Sequence, residues 1–240
     1  MPKATTDISA GTTRPRNLEP DAKSLLAHHP FFQNLSERAW KQLDPYIKNV
    51  SCHVGKILFR KDDADSRLFL VVDGTVRIDS QSPDGKDAVF NLIKDGEFFG
   101  EISLLDGKPR TANAIALTDC HFIVIERRDF VPILLDQPQL MKSLLEVVCG
   151  RLRQTTEQVE DLMFLDLAGR LARTILKLAG DAETPIRVEM TQRQLAQIAG
   201  LSREMVNKQL RVWSRERLVR LSREEITILN REKLKKIISQ

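Results

Sequence analysis

The chain has 240 residues and a net charge of +4, and its 42% hydrophobic and 29% charged fractions are typical of a soluble globular protein. No apolar run approaches the roughly 18 residues that a spanning helix needs, which excludes a membrane protein. The polar N-terminus has no secretory hydrophobic core, so we expect a cytoplasmic protein with a disordered arm over residues 1–17.

The first predicted domain covers residues 18–137. Residues 18–48 are predicted to be helical, because apolar residues from Phe32 to Ile47 recur at helical spacing and Ser36 is a candidate cap. From Val54 to about Arg127, turn signals separate six short runs rich in β-branched and aromatic residues. They predict an all-β unit, a sandwich or a small barrel. The runs are ILFR, RLFLVVDG, TVRIDS, DAVFNLI, ANAIAL and HFIVIE, and the turn signals are Asp73-Gly74, Pro83-Asp84-Gly85 and Asp95-Gly96.

Within this domain, residues 98–112 (FFGEISLLDGKPRTA) have the composition of a small-molecule site. Arg110 beside Thr111 offers a guanidinium fork and a hydroxyl, which suit one phosphate group. Gly100 permits close backbone approach. Glu101 would repel a phosphate, so we expect it to accept hydrogen bonds from ligand hydroxyls. A nucleotide satisfies both ends of the segment, whereas a Glu–Arg surface pair beside a turn is the alternative.

A long helix is predicted from about Pro138 to Met163, and it carries a seven-residue repeat. Two columns at a and d spacing over three heptads predict a coiled-coil seam, so we expect this helix to pair with its own copy. Packing of the helix on its own domain is the alternative. Thr155 is the polar member of the seam, and a buried hydroxyl there needs a partner, which could be a ligand. The columns are Leu145, Leu152, Val159 and Met141, Val148, Thr155, Leu162.

Residues 165–240 form a second predicted domain with 16 Lys+Arg against 9 Asp+Glu, a net charge of +7, whereas residues 1–164 have 21 against 24. Asp166 is placed to cap a first helix, LAGRLARTILKLA. After the short loop at 180–185, residues 191–213 have the spacing of a helix-turn-helix. Small Ala196, Gly200 at the turn and Val206 in the second helix carry that spacing. Residues 218–229 are predicted to form a β-hairpin wing.

The second helix of this motif has two distinct faces. At about 100° per residue from Arg203, its polar residues fall within about 140° of arc, and the apolar ones lie opposite. The polar face suits a DNA major groove, because Arg and Lys can donate to guanine and Glu can accept from cytosine. Residues at the two helix starts are placed for phosphates. A solvated amphipathic face is the alternative. The polar set is Arg203, Glu204, Asn207, Lys208 and Arg211, the apolar set is Met205, Val206, Leu210 and Trp213, and the phosphate set is Thr191, Arg193 and Ser202.

Along about residues 18–230, the chain resembles the CRP–FNR superfamily of bacterial transcription regulators. The resemblance rests on FFGEISLLDGKPRTA, on RLRQTTEQVEDLMFLDLAGRLA at 151–172 and on TQRQLAQIAGLSREMVNKQL at 191–210. It implies an α+β protein with three parts. These are a double-stranded β-roll that binds cyclic nucleotide (18–137), a dimerisation helix (138–164) and a winged helix-turn-helix that binds double-stranded DNA (165–240). It also implies a homodimer that works with RNA polymerase.

The resemblance implies a role for each matching residue. Arg110 and Thr111 would hold the cyclic phosphate and Glu101 the ribose 2′-OH, with backbone groups near Gly100, Ile102 and Thr111 completing the pocket. Thr155 would contact the purine, and Thr156 would reach it from the partner chain. Arg203, Glu204 and Lys208 match base-reading positions, and Asp166 lies at the interdomain hinge.

Cyclic AMP is the first expected ligand and cyclic GMP the second, because a threonine hydroxyl suits either purine. Two other regulators stay open: the same fold with a different effector or none, and a nucleotide-binding regulatory subunit of an enzyme such as a kinase. Residues 191–229 argue against the subunit. We expect no enzyme, because no catalytic set or P-loop is present, and no metal site. Cys52, Cys120 and Cys149 are isolated, and the four histidines have no ligand spacing.

Overall fold

The computed structural model describes residues 29, 31–32, 35–81, 87–180, 185–222 and 225–239. The predicted arm at 1–17, residues 18–28 of the predicted helical stretch, the Pro83–Gly85 turn and residues 181–184 of the 180–185 loop lie outside the described residues. The chain divides into two compact units, Met1–Ile78 with Leu92–Val148 and Asp79–Asn91 with Cys149–Gln240. The domain limits inferred from the sequence stay predictions.

The first unit is built mainly on antiparallel strands. Within the described residues they form two four-stranded sheets, with the orders β1-β8-β3-β6 and β2-β7-β4-β5. The strands are β1 (Lys48–Cys52), β2 (Ile57–Phe59), β3 (Leu68–Asp73), β4 (Val76–Gln81), β5 (Asp87–Ile93), β6 (Phe98–Phe99), β7 (Asn113–Ala116) and β8 (Cys120–Ile125). The helices are α1 (Glu37–Leu43), a 3-10 turn (Asp44–Tyr46), α2 (Glu101–Asp106) and α3 (Arg127–Asp136). Residues 79–91 of the β4–β5 hairpin group with the second unit.

All six predicted strand runs contain a strand, so this part of the prediction is confirmed. The prediction of helix throughout residues 18–48 is wrong in the described part, where helix covers only 37–46 and β1 begins at Lys48. Phe31 and Phe32 instead lie in a turn and are almost fully buried in the core. Their apolar spacing reflects burial of a turn rather than a helix face.

A ladder of phenylalanine rings fixes the position of the segment that follows β6. Phe69 on β3 pairs in register with Phe99 on β6, and their rings stack with centroids 5.0 Å apart. The Phe122 ring of β8 meets both edge-on, with centroids 6.0 Å away. Because all three side chains are fully buried, they anchor the two-residue strand from which residues 100–112 depart.

The second unit contains the C-terminal part of the long helix and a compact helical domain with a small sheet. Its elements from Pro138 onward are α4 (Pro138–Phe164, which begins in the first unit), α5 (Leu167–Ala179), β9 (Ile186–Glu189), α6 (Gln192–Ala199), α7 (Arg203–Arg215), β10 (Val219–Leu221), β11 (Glu225–Ile228) and α8 (Arg231–Ile238). The sheet has the order β10-β11-β9, so the predicted wing hairpin gains a third strand. One buried cluster joins α5, α6 and α7 through Leu171, Leu195, Val206, Leu210 and Trp213.

The long helix α4 exposes most of its predicted apolar seam. Leu145, Leu152, Val159 and Leu162 are 52%, 66%, 49% and 61% exposed in the single chain. Four large apolar side chains at heptad spacing in contact with water call for a covering surface.

Candidate functional site

The segment that follows β6 is shaped by a glycine with a left-handed backbone. Gly100 has φ 89°, and a Cβ at this position would lie 2.6 Å from the Arg67 carbonyl oxygen and from Arg110 Nη1. Only glycine fits such a close approach at that φ. The short helix α2 starts immediately afterwards with Glu101, and the chain then returns through a second left-handed glycine, Gly107, to Arg110.

The Arg110 guanidinium is buried, with 2% of its side chain exposed. Its Nη1 donates to the Gly100 carbonyl at 3.0 Å, and its Nη2 donates to the Arg67 carbonyl at 2.7 Å. The group also lies over the Phe59 ring, 3.9 Å from the centroid. Its Nε is buried and has no hydrogen-bond partner among the described residues. Since a buried donor needs an acceptor, the Nε is available to an anion in the site.

A carboxylate between two arginines sets the charge of this region. Asp65 receives two hydrogen bonds from Arg67, Nε to Oδ1 at 2.9 Å and Nη2 to Oδ2 at 2.8 Å, and its Oδ1 lies 3.2 Å from Arg110 Nη2. Burial would raise the pKa of Asp65, but the hydrogen bonds from Arg67 and the charge of Arg110 outweigh it and lower that pKa. Burial lowers the pKa of Arg110, and Asp65 opposes the shift. Arg67, Asp65 and Arg110 therefore form one linked group, and the carboxylate of Glu101 also acts on Arg110.

Asp65 and Arg67 were not predicted from the sequence. Their signal in the sequence was an acidic and a basic residue two positions apart, just before a buried strand. Such a pair is common in surface turns, so it did not indicate a site. Of the predicted residues, Glu101 is buried, whereas Ile102 and Thr111 are exposed. Gly100 and Arg110 are therefore in direct contact, and the buried Glu101 follows Gly100 in the chain.

The two threonines predicted to contact the base lie on α4. The Thr155 hydroxyl donates to the Arg151 carbonyl and the Thr156 hydroxyl to the Leu152 carbonyl, each at 3.0 Å. Both side chains are exposed in the single chain, and they belong to the second unit. A hydroxyl that donates within its helix still has lone pairs to accept from a ligand, so their contact with a purine stays a prediction.

In the second unit, α6 and α7 form the predicted helix-turn-helix. Gly200 ends α6 with a left-handed φ of 63°, and Ala196 and Val206 are buried where the two helices pack. Thr191 forms a capping box with Gln194, and Ser202 caps α7 by accepting from the Met205 N–H at 3.2 Å. Both hydroxyls proposed for phosphate contact are thus also caps.

The exposed face of α7 carries the predicted base-reading set. Arg203, Glu204, Lys208 and Arg211 are exposed, and Asn207 is half-buried, whereas Val206, Leu210 and Trp213 are buried. Met205, which the sequence assigns to the apolar face, is not buried with the others but is 43% exposed. At about 200° from Arg203 it lies at the border between the two faces, close to Lys208 at about 140°.

Replacing Thr191 with alanine is expected to lower the free energy of unfolding of the second unit by about 1 kcal/mol, because the capping box is lost. Urea unfolding followed by Trp213 fluorescence in a Trp40→Phe background measures this, since Trp213 is buried in that unit. Thr191→Ser keeps the accepting hydroxyl and is the control. An alanine variant as stable as the parent would contradict the capping role.

Two segments of the chain match known protein families. Residues 50–137 match the family described as a cyclic nucleotide-binding domain, and residues 169–237 match the Crp-like helix-turn-helix domain. A CRP-like cAMP-activated global transcriptional regulator from Mycobacterium tuberculosis is 31% identical over 216 residues, which cover 88% of this chain and 96% of that protein. The chain belongs to the CRP–FNR superfamily of transcription regulators. A cyclic AMP receptor protein from Thermus thermophilus is 30% identical and is matched over 80% of this chain and 88% of its own.

The same fold occurs in solved structures of other proteins. The c-di-GMP responsive global regulator CLP of Xanthomonas campestris superposes with a TM-score of 0.72 at 21% identity, covering 81% of this chain and 99% of that one. The predicted family and the α+β fold, with its cyclic-nucleotide-binding domain, long helix and helix-turn-helix, are confirmed. The chain is a transcription regulator with a DNA-binding domain, not an enzyme.

Two features are absent from the described residues. No helix there combines the length and the hydropathy that a bilayer crossing requires. Across the same stretches, no group of three or more His, Cys, Asp or Glu side chains is placed to hold a metal ion. The residue-by-residue assignments of the two binding sites stay predictions.

Proposed function

We propose that the protein is a cytoplasmic, dimeric transcription regulator whose affinity for a palindromic operator is controlled by a cyclic nucleotide, with cyclic AMP preferred and cyclic GMP second. The observation that carries this proposal is the buried Arg110 guanidinium. It lies at the positive-φ Gly100 in a domain of the cyclic-nucleotide-binding family. Two relatives, which are 31% and 30% identical to this chain, are named for cyclic AMP. Their names support that nucleotide as the first choice.

The cyclic phosphate would bind at Arg110, beside the Asp65–Arg67 pair. The Arg110 Nε lacks an acceptor among the described residues, and the neighbouring Thr111 hydroxyl is exposed. A phosphate oxygen is a stronger acceptor for a guanidinium than a carbonyl oxygen is, so it would compete for the N–H groups that Arg110 now donates to Gly100 and Arg67. Glu101 would accept from the ribose 2′-OH, and backbone groups of Gly100 and Ile102 would contact the ligand. No metal is needed for these contacts.

The dimer would form along α4. Pairing of two copies would cover Leu145, Leu152, Val159 and Leu162, which the single chain exposes. This arrangement places Thr155 at the seam and brings Thr156 of the partner copy to the same ligand. Burial of the apolar columns supplies the association free energy, and the bound nucleotide would favour one arrangement of the paired helices.

The two α7 helices of such a dimer would enter successive major grooves, about 34 Å apart. Arg203 and Lys208 would donate to guanine and Glu204 would accept from cytosine, while Thr191, Arg193 and Ser202 would contact phosphates. Asn207, which is half-buried, lies on the same face. RNA polymerase is the expected protein partner of a regulator of this family.

Replacing Glu204 with alanine is expected to relax discrimination at one operator base pair by about 1–3 kcal/mol, because an acceptor for cytosine N4 is lost. Arg193→Ala is the matched control, since loss of a phosphate contact should weaken all sequences alike and reduce the salt slope by about 1. Binding to a set of single-base operator variants at fixed salt measures both. Uniform weakening by Glu204→Ala would contradict base reading.

Titration calorimetry with cyclic AMP, cyclic GMP and a cyclic dinucleotide tests the choice of effector. We expect cyclic AMP to bind most tightly and cyclic GMP second. The second candidate is the same architecture with another effector, and it is favoured by the c-di-GMP responsive regulator of Xanthomonas campestris that shares the fold. Binding of the cyclic dinucleotide alone would favour this second candidate, as would binding of none of the three.

A further inference from the structure

The joint between α4 and α5 is very short. α4 ends at Phe164 and α5 begins at Leu167, so only Leu165 and Asp166 lie outside a helix. Asp166 caps α5 by accepting from the Gly169 N–H at 2.7 Å. A Cβ on Gly169 would lie 3.3 Å from both Leu165 Cβ and Asp166 Oδ1, so the two joint residues pack closely against the first turn of α5.

An ion pair bridges this joint. Asp161, in the last turn of α4, accepts a hydrogen bond from Arg173 Nη1, in the second turn of α5, twelve residues along the chain. The Asp161 side chain is 20% exposed and that of Arg173 is 41% exposed, so the pair is partly shielded from water. The backbone of Asp161 is also engaged, because its carbonyl accepts from the Leu165 N–H at 3.1 Å. Burial raises the pKa of Asp161, and the charge and hydrogen bond of Arg173 oppose that shift.

α5 is continuous with the core that holds the recognition helix. Leu171, Ala172 and Ile175 of α5 are fully buried in the same cluster as Val206 and Leu210 of α7. A displacement of Arg173 would therefore move α5 together with the core that contains α7, because close-packed cores transmit strain. Asp161 lies on the other side of the joint, on α4. The ligand is proposed to change how the two α4 helices of the dimer are arranged.

We propose that Asp161 and Arg173 are positioning residues that transmit the arrangement of α4 to the DNA-binding domain and so set the size of the nucleotide–DNA coupling. This inference rests on the proposed function. The cap at Asp166 and the close contact at Gly169 fix where α5 begins, and the ion pair ties α5 to the last turn of α4. Neither residue touches nucleotide or DNA in this scheme.

The test measures the coupling factor, which is the ratio of operator dissociation constants without and with saturating cyclic AMP. Arg173→Met keeps the length of the side chain and Asp161→Asn keeps its shape, and each is expected to lower the factor about tenfold. The double variant should lower it no further than either single variant, because both remove one interaction. The reversed pair, Asp161→Arg with Arg173→Asp, should recover part of the coupling. Lys233→Met, which removes an exposed cation of the same unit that is not among the charges acting on Asp161, is the control and should leave the factor unchanged.

The two possible failures are distinguishable in this assay. A parent protein whose operator affinity ignores cyclic AMP would overturn the proposed function itself. A coupled parent whose single variants keep the parental factor would overturn the inference alone. Equal weakening of DNA binding with and without nucleotide, with no recovery by the reversed pair, would mean that the ion pair only stabilises the fold, and would also overturn the inference.

Discussion

Replacing Arg110 with alanine should lower cyclic-nucleotide affinity by about 2–4 kcal/mol, which is roughly thirty- to a thousandfold. The variant loses the charge that the phosphate would meet and leaves Asp65 with only Arg67 as a salt-bridge partner among the described contacts. Titration calorimetry with cyclic AMP measures the loss, and sedimentation should still show a dimer.

Arg110 also stabilises the local fold, so that experiment needs controls. Its guanidinium packs on Phe59 and holds two carbonyls, so alanine leaves a void as well as a missing charge. Arg110→Lys keeps the charge and loses the fork, and should bind nucleotide better than alanine but worse than the parent. Arg67→Ala removes the other partner of Asp65 while keeping Arg110, and should bind more tightly than Arg110→Ala. A folded Arg110→Ala protein with parental affinity would contradict the assigned phosphate site.

Replacing Leu152 with glutamate should convert the dimer to a monomer at micromolar concentration. This side chain is 66% exposed in the single chain and lies in the middle of the predicted seam, where pairing would bury two facing carboxylates. Because two linked half-site contacts gain roughly 10²–10⁴ in apparent affinity over one, operator binding should fall by about that factor. Sedimentation and gel-shift titration measure the two effects.

Arg153→Glu is the matched control for the seam, because it introduces the same side chain at the neighbouring exposed position outside the two columns. It should remain dimeric. A dimeric Leu152→Glu protein with parental operator affinity would show that the exposed stripe of α4 is not the dimer interface.

Much of the fold could be predicted because its signals are local. Short runs rich in β-branched and aromatic residues, separated by Asp-Gly and Pro-Asp-Gly turns, identified six strands, and the glycine turn with a two-faced helix identified α6 and α7. β1 (KNVSC) was missed because three of its five residues are exposed and its pattern is polar, and β6 because it has only two residues. Their existence depends on partners distant in sequence, which single-sequence patterns do not reveal.

The candidate site was predicted in type but not in detail. Glycine, glutamate and arginine at 100, 101 and 110 could be recognised as one segment because they lie close in sequence. Asp65 joins them across 45 positions through the pairing of β3 with β6, so only the fold brings it to Arg110. Met205 was misplaced because a helical wheel cannot tell a border position from a buried one.

Cyclic nucleotide and operator DNA should each tighten the binding of the other by the same factor, because coupling between two sites is reciprocal. A four-way cycle of dissociation constants tests this: nucleotide with and without operator, and operator with and without nucleotide. All four constants must be taken at one salt concentration, since phosphate contacts make DNA affinity salt-dependent. Equal factors well above one are the predicted result. Operator affinity that is the same with and without every cyclic nucleotide tried would contradict a nucleotide-controlled regulator and leave a DNA-binding protein with another effector or none.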